Sequence, residues 1–353
     1  MLGLDTRAAR VAWTVGVVTL AFYAVFILRK TILVFVLALF LAYMIAPLVT
    51  LIERYKWSRV PRTVSVLMAF LLVIGSVGIG AALIAPAVSD EAQLLSQQLP
   101  QLAAKASIAN IPLPNWLEAF RGRLSVFVQE NLKTAMLAAM PFAQSVGTEI
   151  ILFAGNLFFV VLIPILAFFF VKDGPQFRDA LLRWLNPIAP RGDPSRILSD
   201  LDDALGQYVR ALGLLALATL IAYGIVFSAA GVPYAIFLAA IAAVLEILPL
   251  LGPLSAAVIA LFVAGLSGYD HLLWIAAFIV CYRIFQDYVL YPYLMGEESN
   301  IHPVMIIFGL LAGEQLGGIA GVFLSVPVIV AFVIVARHRR DNGTKSPGAS
   351  APE

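Results

Sequence analysis

Long apolar runs, separated by short polar stretches, dominate the chain. A helix that spans a lipid bilayer needs about 20 predominantly apolar residues, and eight segments approach or exceed that length. They are residues 11–28, 31–52, 63–88, 148–171, 207–230, 234–265, 270–292 and 303–336. This pattern predicts an all-α, polytopic helical membrane protein.

The composition supports the same class. The 353 residues are 61% hydrophobic and 12% charged, with a mean hydropathy of +0.95, whereas a soluble domain is about 25% charged. The 23 basic and 21 acidic residues leave a small net charge, and the basic ones lie near the ends of apolar runs. We therefore expect the lipid bilayer as a partner and no nucleic acid.

No motif in the sequence carries a convincing enzyme, cofactor or metal signal. The chain lacks an H-E-x-x-H pattern and a phosphate-binding loop. The "GLSG" stretch at 265–268 matches a pattern of intramembrane serine proteases, but Ser267 lies at an expected helix end without a buried histidine. Tyr269 and Asp270 match half of an aspartyl protease motif, without a second Asp in a Gly-rich loop. We expect no enzyme, no cofactor and no metal site.

The basic residues also predict orientation. Lys and Arg in short flanks favour the cytoplasmic side, and they concentrate at 7–10, 54–62, 172–210 and 337–340. With three spans between residues 10 and 90, both termini are expected in the cytoplasm. This scheme places Arg29 and Lys30 in an outer turn, which snorkelling makes tolerable.

These signals divide the chain into four regions. Residues 1–88 are expected to be an N-terminal three-span membrane region, and 89–147 an extracytoplasmic segment with an amphipathic helix from Asn115. That helix could rest on its own bundle, on the membrane surface or on a neighbouring subunit, so a homo-oligomer is possible. Residues 148–336 form the expected C-terminal membrane transport core, with a cytoplasmic helical loop at 172–206. Residues 337–353 are expected to be a disordered tail.

Two apolar segments, 234–265 and 303–336, have an unusual length and interior. Each is long for one span and short for two with a turn. In the first, Glu246 is followed by Pro249, Gly252 and Pro253. In the second, Glu314 is followed by Gly317 and Gly318. Irregular backbone at membrane depth needs protein or water to satisfy its polar groups, and paired broken segments indicate a transport site. Kinked spans and re-entrant hairpins both fit the sequence.

Charged residues inside these apolar runs are candidates for transport or coupling. An ionised carboxylate at the bilayer centre costs about 2.5–3.5 kcal/mol, so Glu246 should be protonated unless a cation or a donor lies nearby. It is a candidate H+ or Na+ site, or else a protonated cap for the exposed backbone. Glu314 is a second candidate, although its flanking glycines could place it at a surface. Arg283 and Asp287 are four residues apart and should pair, either structurally or along a pathway.

Six stretches of the chain together resemble the autoinducer-2 exporter (AI-2E) family of bacterial inner-membrane transporters. They are "FFFVKDG" (168–174), "YVRA" (208–211), "GVPYA" (231–235), "LEILPLLGP" (245–253), "YPYLMGEESNIHPVMI" (291–306) and "LLAGEQLGGIAGVFLSVP" (310–327). The resemblance runs from about residue 10 to 336. The chain departs from the family pattern at Ala211, where Gly is common, and at Asp287, where Asn is frequent.

The resemblance implies secondary transport and leaves the substrate open. Some members are assigned export of autoinducer-2, a small polyhydroxylated solute, and others are described as Na+(Li+)/H+ antiporters. A polyhydroxylated solute needs neutral hydrogen-bonding groups, for which the candidates are Tyr223, Tyr234, Tyr282 and Tyr288. The hypothesis is that residues 246–253 and 314–321 form two sides of a central site. The alternatives are an antiporter and a non-transporting membrane scaffold.

Overall fold

The computed structural model describes residues 6–54, 61–105, 157–185, 193–248, 251–295 and 302–344. All regular structure in these residues is helical. The helices are α1 (Thr6–Arg54), α2 (Arg62–Lys105), α3 (Leu157–Leu185), α4 (Pro194–Ala229), α5 (Ala235–Leu245), α6 (Leu251–Leu266), α7 (Leu272–Phe285), a π-helical turn (Gln286–Leu290), α8 (Tyr291–Met295) and α9 (Pro303–Thr344).

Five helical stretches among the described residues are long and apolar enough to cross a membrane. They are Thr31–Arg54, Arg62–Gln98, Pro194–Ala229, Leu272–Leu294 and Gly321–His338. Three shorter apolar helices accompany them, at Ala235–Leu245, Leu251–Leu266 and Val304–Gly318. The all-α, polytopic membrane fold is therefore confirmed, including the interruption of both segments that the sequence marked as broken.

The N-terminal region differs from the sequence expectation. The helix α1 continues without a turn through Arg29 and Lys30, so the apolar segments 11–28 and 31–52 share one helix. At 1.5 Å per residue its 49 residues extend about 74 Å. The physical reason lies in the residues at the expected turn, because Leu28, Arg29 and Lys30 are good helix formers and no Gly or Pro stands near them.

Two further helices run past their expected boundaries. The helix α2 continues to Lys105, beyond residue 89, where the extracytoplasmic segment was expected to begin. The helix α9 continues to Thr344, into the tail that was expected to be disordered, since no Gly or Pro occurs between Pro327 and Gly343. The amphipathic helix predicted from Asn115 lies outside the described residues, as do residues 345–353.

The helix α4 is the element around which the others pack. Asp193 caps its start, accepting hydrogen bonds from the backbone N–H groups of Ser195 and Arg196. Its buried face repeats at three- and four-residue spacing, the period of one helix stripe, through Tyr208, Leu212, Leu215, Thr219, Tyr223 and Phe227. One end of this stripe packs against α1 and α9, and the other end packs against the core formed by α5, α6 and α7.

The first interrupted segment folds back on itself. The carbonyl oxygen of Leu245, at the end of α5, lies so close to Gly252 that a Cβ there would overlap it. The hydroxyl of Tyr269, just after α6, donates a 2.8 Å hydrogen bond to the carbonyl of Ala230, just before α5. The segment therefore starts and finishes at the same end of α4. We call α5 and α6 together the first hairpin; Pro249 lies outside the described residues.

The second interrupted segment also reverses. Gly318 has φ 59° and ψ −139°, a backbone conformation that breaks α9 and that favours glycine. The backbones of Gly313 and Gly321 are in direct contact, and a Cβ on Gly309 would meet the side chain of Ile329. These contacts on both sides of Gly318 define a second hairpin, formed by the two arms of α9. Hairpins, not kinked single helices, therefore account for both interruptions.

Candidate functional site

Glu246 lies at the tip of the first hairpin. It is the residue that ends α5, where its backbone N–H still bonds the carbonyl of Ala242, and the residue is only 7% exposed. The reversal that brings Leu245 against Gly252 sets the direction of this tip. Any side chain at position 252 would overlap the backbone of Leu245 and prevent this reversal. The close approach of the two backbones therefore requires glycine at this position.

The depth of the site follows from three helices that share one end of the bundle. Thr219 lies ten residues before the end of α4, Glu246 lies eleven after the start of α5, and Tyr282 lies ten after the start of α7. At 1.5 Å per residue these offsets are about 15–16 Å. These offsets are about half of the roughly 30 Å thickness of the hydrocarbon core of a bilayer.

Buried donors surround the carboxylate of Glu246. The amide Nε2 of Gln286 donates to Oε1 at 2.8 Å, and the hydroxyl of Thr219 donates to Oε2 at 3.2 Å. The hydroxyl of Tyr282 lies 3.1 Å from that of Thr219. Because the Thr219 proton points to the carboxylate, Tyr282 donates to Thr219. Gln286 and Thr219 are each 2% exposed, so this part of the site is fixed by the protein.

Arg283 connects Glu246 to a second carboxylate. Its Nη2 and Nε lie 2.7 and 2.9 Å from the two carboxylate oxygens of Asp287, which is a two-pronged pair of the strong kind. Its Nη1 lies 3.7 Å from Oε1 of Glu246. The pairing of Arg283 and Asp287 expected from their spacing therefore forms. A cation and two hydrogen-bond donors therefore lie beside the carboxylate of Glu246.

The π-helical turn that follows α7 contributes two polar residues to the site. Gln286 and Asp287 begin this five-residue turn directly after α7. A π-helical turn widens the helix by one residue and occurs frequently at functional sites. Here Gln286 is directed to Glu246 while Asp287 stays against Arg283. The turn thus lets neighbouring residues on one helix hold two different partners.

One side of the site is open. The side chains of Arg283 and Asp287 are 38% and 42% exposed, and both lie within the apolar stretch Leu272–Leu294. Charged side chains at membrane depth almost always face a bundle interior or a water-filled cavity rather than lipid. The ion pair therefore marks the open side, and Glu246 the closed side, of one polar cluster.

The other residues that the sequence predicted for the site lie in two separate places, one at each hairpin. Gly252 and Pro253 lie in the first turn of α6, and Gly252 approaches the backbone of Leu245, the residue before Glu246. Glu314 and the two glycines Gly317 and Gly318 lie at the exposed tip of the second hairpin, where a Cβ on either glycine would touch nothing. Among the described residues, Glu314 makes no hydrogen bond or ion pair with the cluster around Glu246.

Four tyrosines were candidates for solute binding, and the structure separates them. Tyr223 and Tyr282 lie at the site with ring centroids 5.5 Å apart, and Phe278 packs against both rings. Tyr234 lies at the start of α5, at the end of the bundle. Tyr288 is 79% exposed. The site therefore has an aromatic wall made by α4 and α7.

Sequence reasoning missed Thr219 and Gln286. Thr219 lies alone in the apolar run "LLALATLIAY", and Gln286 lies between Phe285 and Asp287. The available signal was the 282, 283, 286, 287 spacing, which places four polar side chains on one helix face. The protease-like stretch has a structural role, since the hydroxyl of Ser267 donates to the carbonyl of Val263 at 2.7 Å.

Several helices long and apolar enough to span a membrane, two helical hairpins and a partly buried charged cluster are the features of a membrane transport protein. The sequence model of the family described as AI-2E family transporter matches residues 15–340. The chain belongs to the AI-2E transporter family. 

Relatives extend over almost the same length. YrrI of Bacillus subtilis, whose name describes a candidate transport protein, is 27% identical over 314 residues, covering 88% of this chain and 87% of YrrI. YueF of the same organism, whose name also describes a candidate transport protein, is 28% identical over 312 residues. The match covers 84% of this chain and 83% of YueF. A protein so named from Methanothermobacter thermautotrophicus is 25% identical, covering 86% of each chain.

Proposed function

We propose that the protein exports a small polar solute, such as autoinducer-2, across the bacterial inner membrane and couples this to movement of H+ or Na+. The C-terminus lies in the cytoplasm in this proposal. The expectation of a cytoplasmic N-terminus depended on a turn at residues 29–30, and α1 continues through these residues as one helix. The observation that carries the proposal is the buried carboxylate of Glu246 at a hairpin tip, bonded by Thr219 and Gln286; the proposal places this carboxylate about halfway through the membrane. A purely structural carboxylate would not need a polar cluster that opens to one side.

The charges of the cluster support ion coupling. Glu246 and Asp287 together carry two negative charges when ionised, and Arg283 carries one positive charge. The remaining negative charge is costly at membrane depth. One proton or one monovalent cation neutralises it. Arg283 already contacts both carboxylates, so neutralising one of them lets the guanidinium move fully to the other.

The neutral groups support a polyhydroxylated solute. Thr219, Tyr282 and Gln286 offer hydroxyl and amide groups that donate and accept hydrogen bonds. The rings of Tyr223 and Tyr282 provide an aromatic wall beside them. Sites for small polar molecules combine a few fixed polar groups with apolar or aromatic surface in this way. A solute hydroxyl can replace Thr219 or Gln286 as a donor to Glu246.

The two hairpins support a moving element. We take the first hairpin to be re-entrant, entering and leaving the membrane on one side, because α5 and α6 have 11 and 16 residues, or about 16 and 24 Å, and neither spans the bilayer alone. In the second hairpin the arm Gly321–His338 is long enough to cross the membrane, so this argument does not extend to it. A hairpin is covalently held only at its open end, so its tip can rock or slide against the other helices. Movement of the first tip would carry Glu246 from one side of the cluster to the other.

A Na+(Li+)/H+ antiporter is the second candidate. The observation in its favour is a buried carboxylate with a hydroxyl oxygen beside it, since Na+ and Li+ prefer oxygen ligands. Against it, Oε1 of Glu246 faces the amide N–H of Gln286 and the guanidinium of Arg283. These positively polarised groups repel a metal cation at Oε1, which also favours H+ over Na+ as the coupling ion of the first candidate. Solute export therefore ranks first, and a scaffold without transport ranks third.

Flux in liposomes tests the proposal. The purified protein is reconstituted, and the movement of autoinducer-2 and of Na+ is measured with and without an imposed pH gradient. We expect solute flux that depends on the gradient and that Glu246→Gln reduces to a small residual flux. The matched control is Glu53→Gln, an exposed acid on α1, which should leave the flux unchanged. Flux of Na+ alone would favour the antiporter, and no flux under any gradient would favour the scaffold.

A further inference from the structure

The start of α5 lacks a cap of its own. The residue before the helix, Tyr234, has φ 60° and ψ 37° and makes no side-chain cap hydrogen bond. The first N–H groups of a helix have no partner inside the helix, and a side-chain oxygen of the preceding residue normally accepts from the second or third of them. Here the acceptor comes from another helix. Oε2 of Glu91, on α2, accepts from the backbone N–H of Phe237 at 2.8 Å.

The same face of α2 makes two further contacts with this region. Oε1 of Gln98 accepts from the hydroxyl of Tyr234 at 2.8 Å. Leu95, between them on α2, is 3% exposed and belongs to the core that contains Phe237. Residues 91, 95 and 98 are spaced by four and three, so they share one face of the helix. The carboxylate also complements the positive end of the α5 dipole.

The other end of α5 carries Glu246. An 11-residue helix is about 16 Å long, so a tilt of about 10° at its start moves its far end by about 3 Å. That displacement equals about the length of the hydrogen bonds from Thr219 and Gln286 to Glu246, which are 3.2 and 2.8 Å long, so it would break them. The position of Glu246 in the cluster therefore depends on how firmly the start of α5 is held.

We propose that Glu91 is a positioning residue that caps α5 from α2 and thereby sets the place of Glu246 in the membrane. It follows that α2 and the first hairpin act as one unit. Its bearing on transport rests on the proposed function, whereas the cap and its effect on the hairpin tip are properties of the fold. The two can therefore be tested separately.

Hydrogen exchange on the full-length protein in lipid nanodiscs tests the cap. In Glu91→Ala, peptides that cover the start of α5 should exchange about fivefold faster, the expected effect of a lost cap of about 1 kcal/mol. Glu91→Gln keeps an oxygen acceptor at the same reach and should show a smaller increase. Asp90→Ala changes a neighbouring exposed acid and should match the wild type. Equal exchange in Glu91→Ala and the wild type would overturn the cap.

The same experiment tests the positioning. Peptides that cover residues 242–248, at the hairpin tip, should also exchange faster in Glu91→Ala and recover in Glu91→Gln. Faster exchange only at the start of α5 would show a local cap and overturn the positioning role. In flux measurements, Glu91→Ala should change the pH profile and Glu91→Gln should restore it in part. Absence of flux in the wild type would contradict the proposed function without changing the hydrogen-exchange result.

Discussion

Replacement of Glu246 by alanine should damage the fold far more than replacement by glutamine. Alanine removes the acceptor that both Gln286 and Thr219 contact. Both donors are 2% exposed, so water cannot easily take the place of the carboxylate. Glutamine keeps one carbonyl oxygen, which can accept from Gln286, and its NH2 group can donate to the Thr219 hydroxyl, which can then donate to Tyr282. Arg283 keeps its two contacts with Asp287. The comparison therefore isolates the hydrogen bonds from the charge.

The size of the effect follows from the partners. A buried donor left without an acceptor costs about 1–3 kcal/mol. Gln286 Nε2 loses the carboxylate oxygen that it contacts at 2.8 Å, whereas Thr219 keeps its contact with Tyr282 and pays less. We expect the alanine variant to lose about 2–4 kcal/mol of unfolding free energy. The glutamine variant should lose about 1 kcal/mol or less, since charge-assisted bonds become neutral ones.

Reversible unfolding in detergent micelles measures this difference. A mild detergent is titrated with a denaturing one, and the free energy of unfolding is compared among the variants. Glu53→Ala, an exposed acid on α1, serves as the control and should stay within about 0.5 kcal/mol of the wild type. The reasoning is refuted if Glu246→Ala unfolds at the same point as this control, or if glutamine costs as much as alanine.

Three further predictions concern the hairpin, a helix cap and the ion pair. Gly252→Ala should lower the unfolding free energy by about 1–3 kcal/mol, since its Cβ overlaps backbone, whereas Gly174→Ala meets open space and should not destabilise the protein in the same titration. Hydrogen bonds from the Ser195 hydroxyl and then from a backbone N–H hold the pKa of Asp193 below its usual value. Because the pKa of Asp193 is lower in the folded state, the ionised cap stabilises the protein at a pH above the usual carboxyl pKa. This stabilisation is lost as the pH falls through the lowered pKa of the folded state. The Tm of Asp193→Ala should therefore approach that of the wild type in acid. Arg283→Gln should abolish flux in liposomes and Arg283→Lys should not restore it, because an ammonium cannot reproduce the two-pronged contact; normal flux in the Lys variant would contradict this.

The fold class and the two interruptions could be predicted because they depend on local signals. Apolar length predicts membrane helices, and a carboxylate followed by Gly or Pro predicts a break. The shape of each break could not be predicted from charge counting, since a hairpin and a kinked span leave the C-terminus on the same side. The contacts of Gly252 with the backbone of Leu245, and of Gly313 with the backbone of Gly321, show that the chain reverses at each break.

The candidate site was predicted in part for the same reason. Arg283 and Asp287 are neighbours on one helix, so their spacing was enough. Thr219 and Gln286 become partners of Glu246 only through tertiary packing. Glu314 shares the local pattern of Glu246 but lies at an exposed tip. Local pattern thus identifies where the backbone breaks, and packing decides which broken segment gathers polar partners.

The pH dependence of solute flux, compared between the wild type and Glu246→Gln in the same liposomes, tests the central claim most directly. The account predicts that flux by the wild type changes with pH, because Glu246 holds and releases the coupling ion, and that the residual flux of the glutamine variant is small and independent of pH. A glutamine variant that transports at the wild-type rate with an unchanged pH profile would contradict the account.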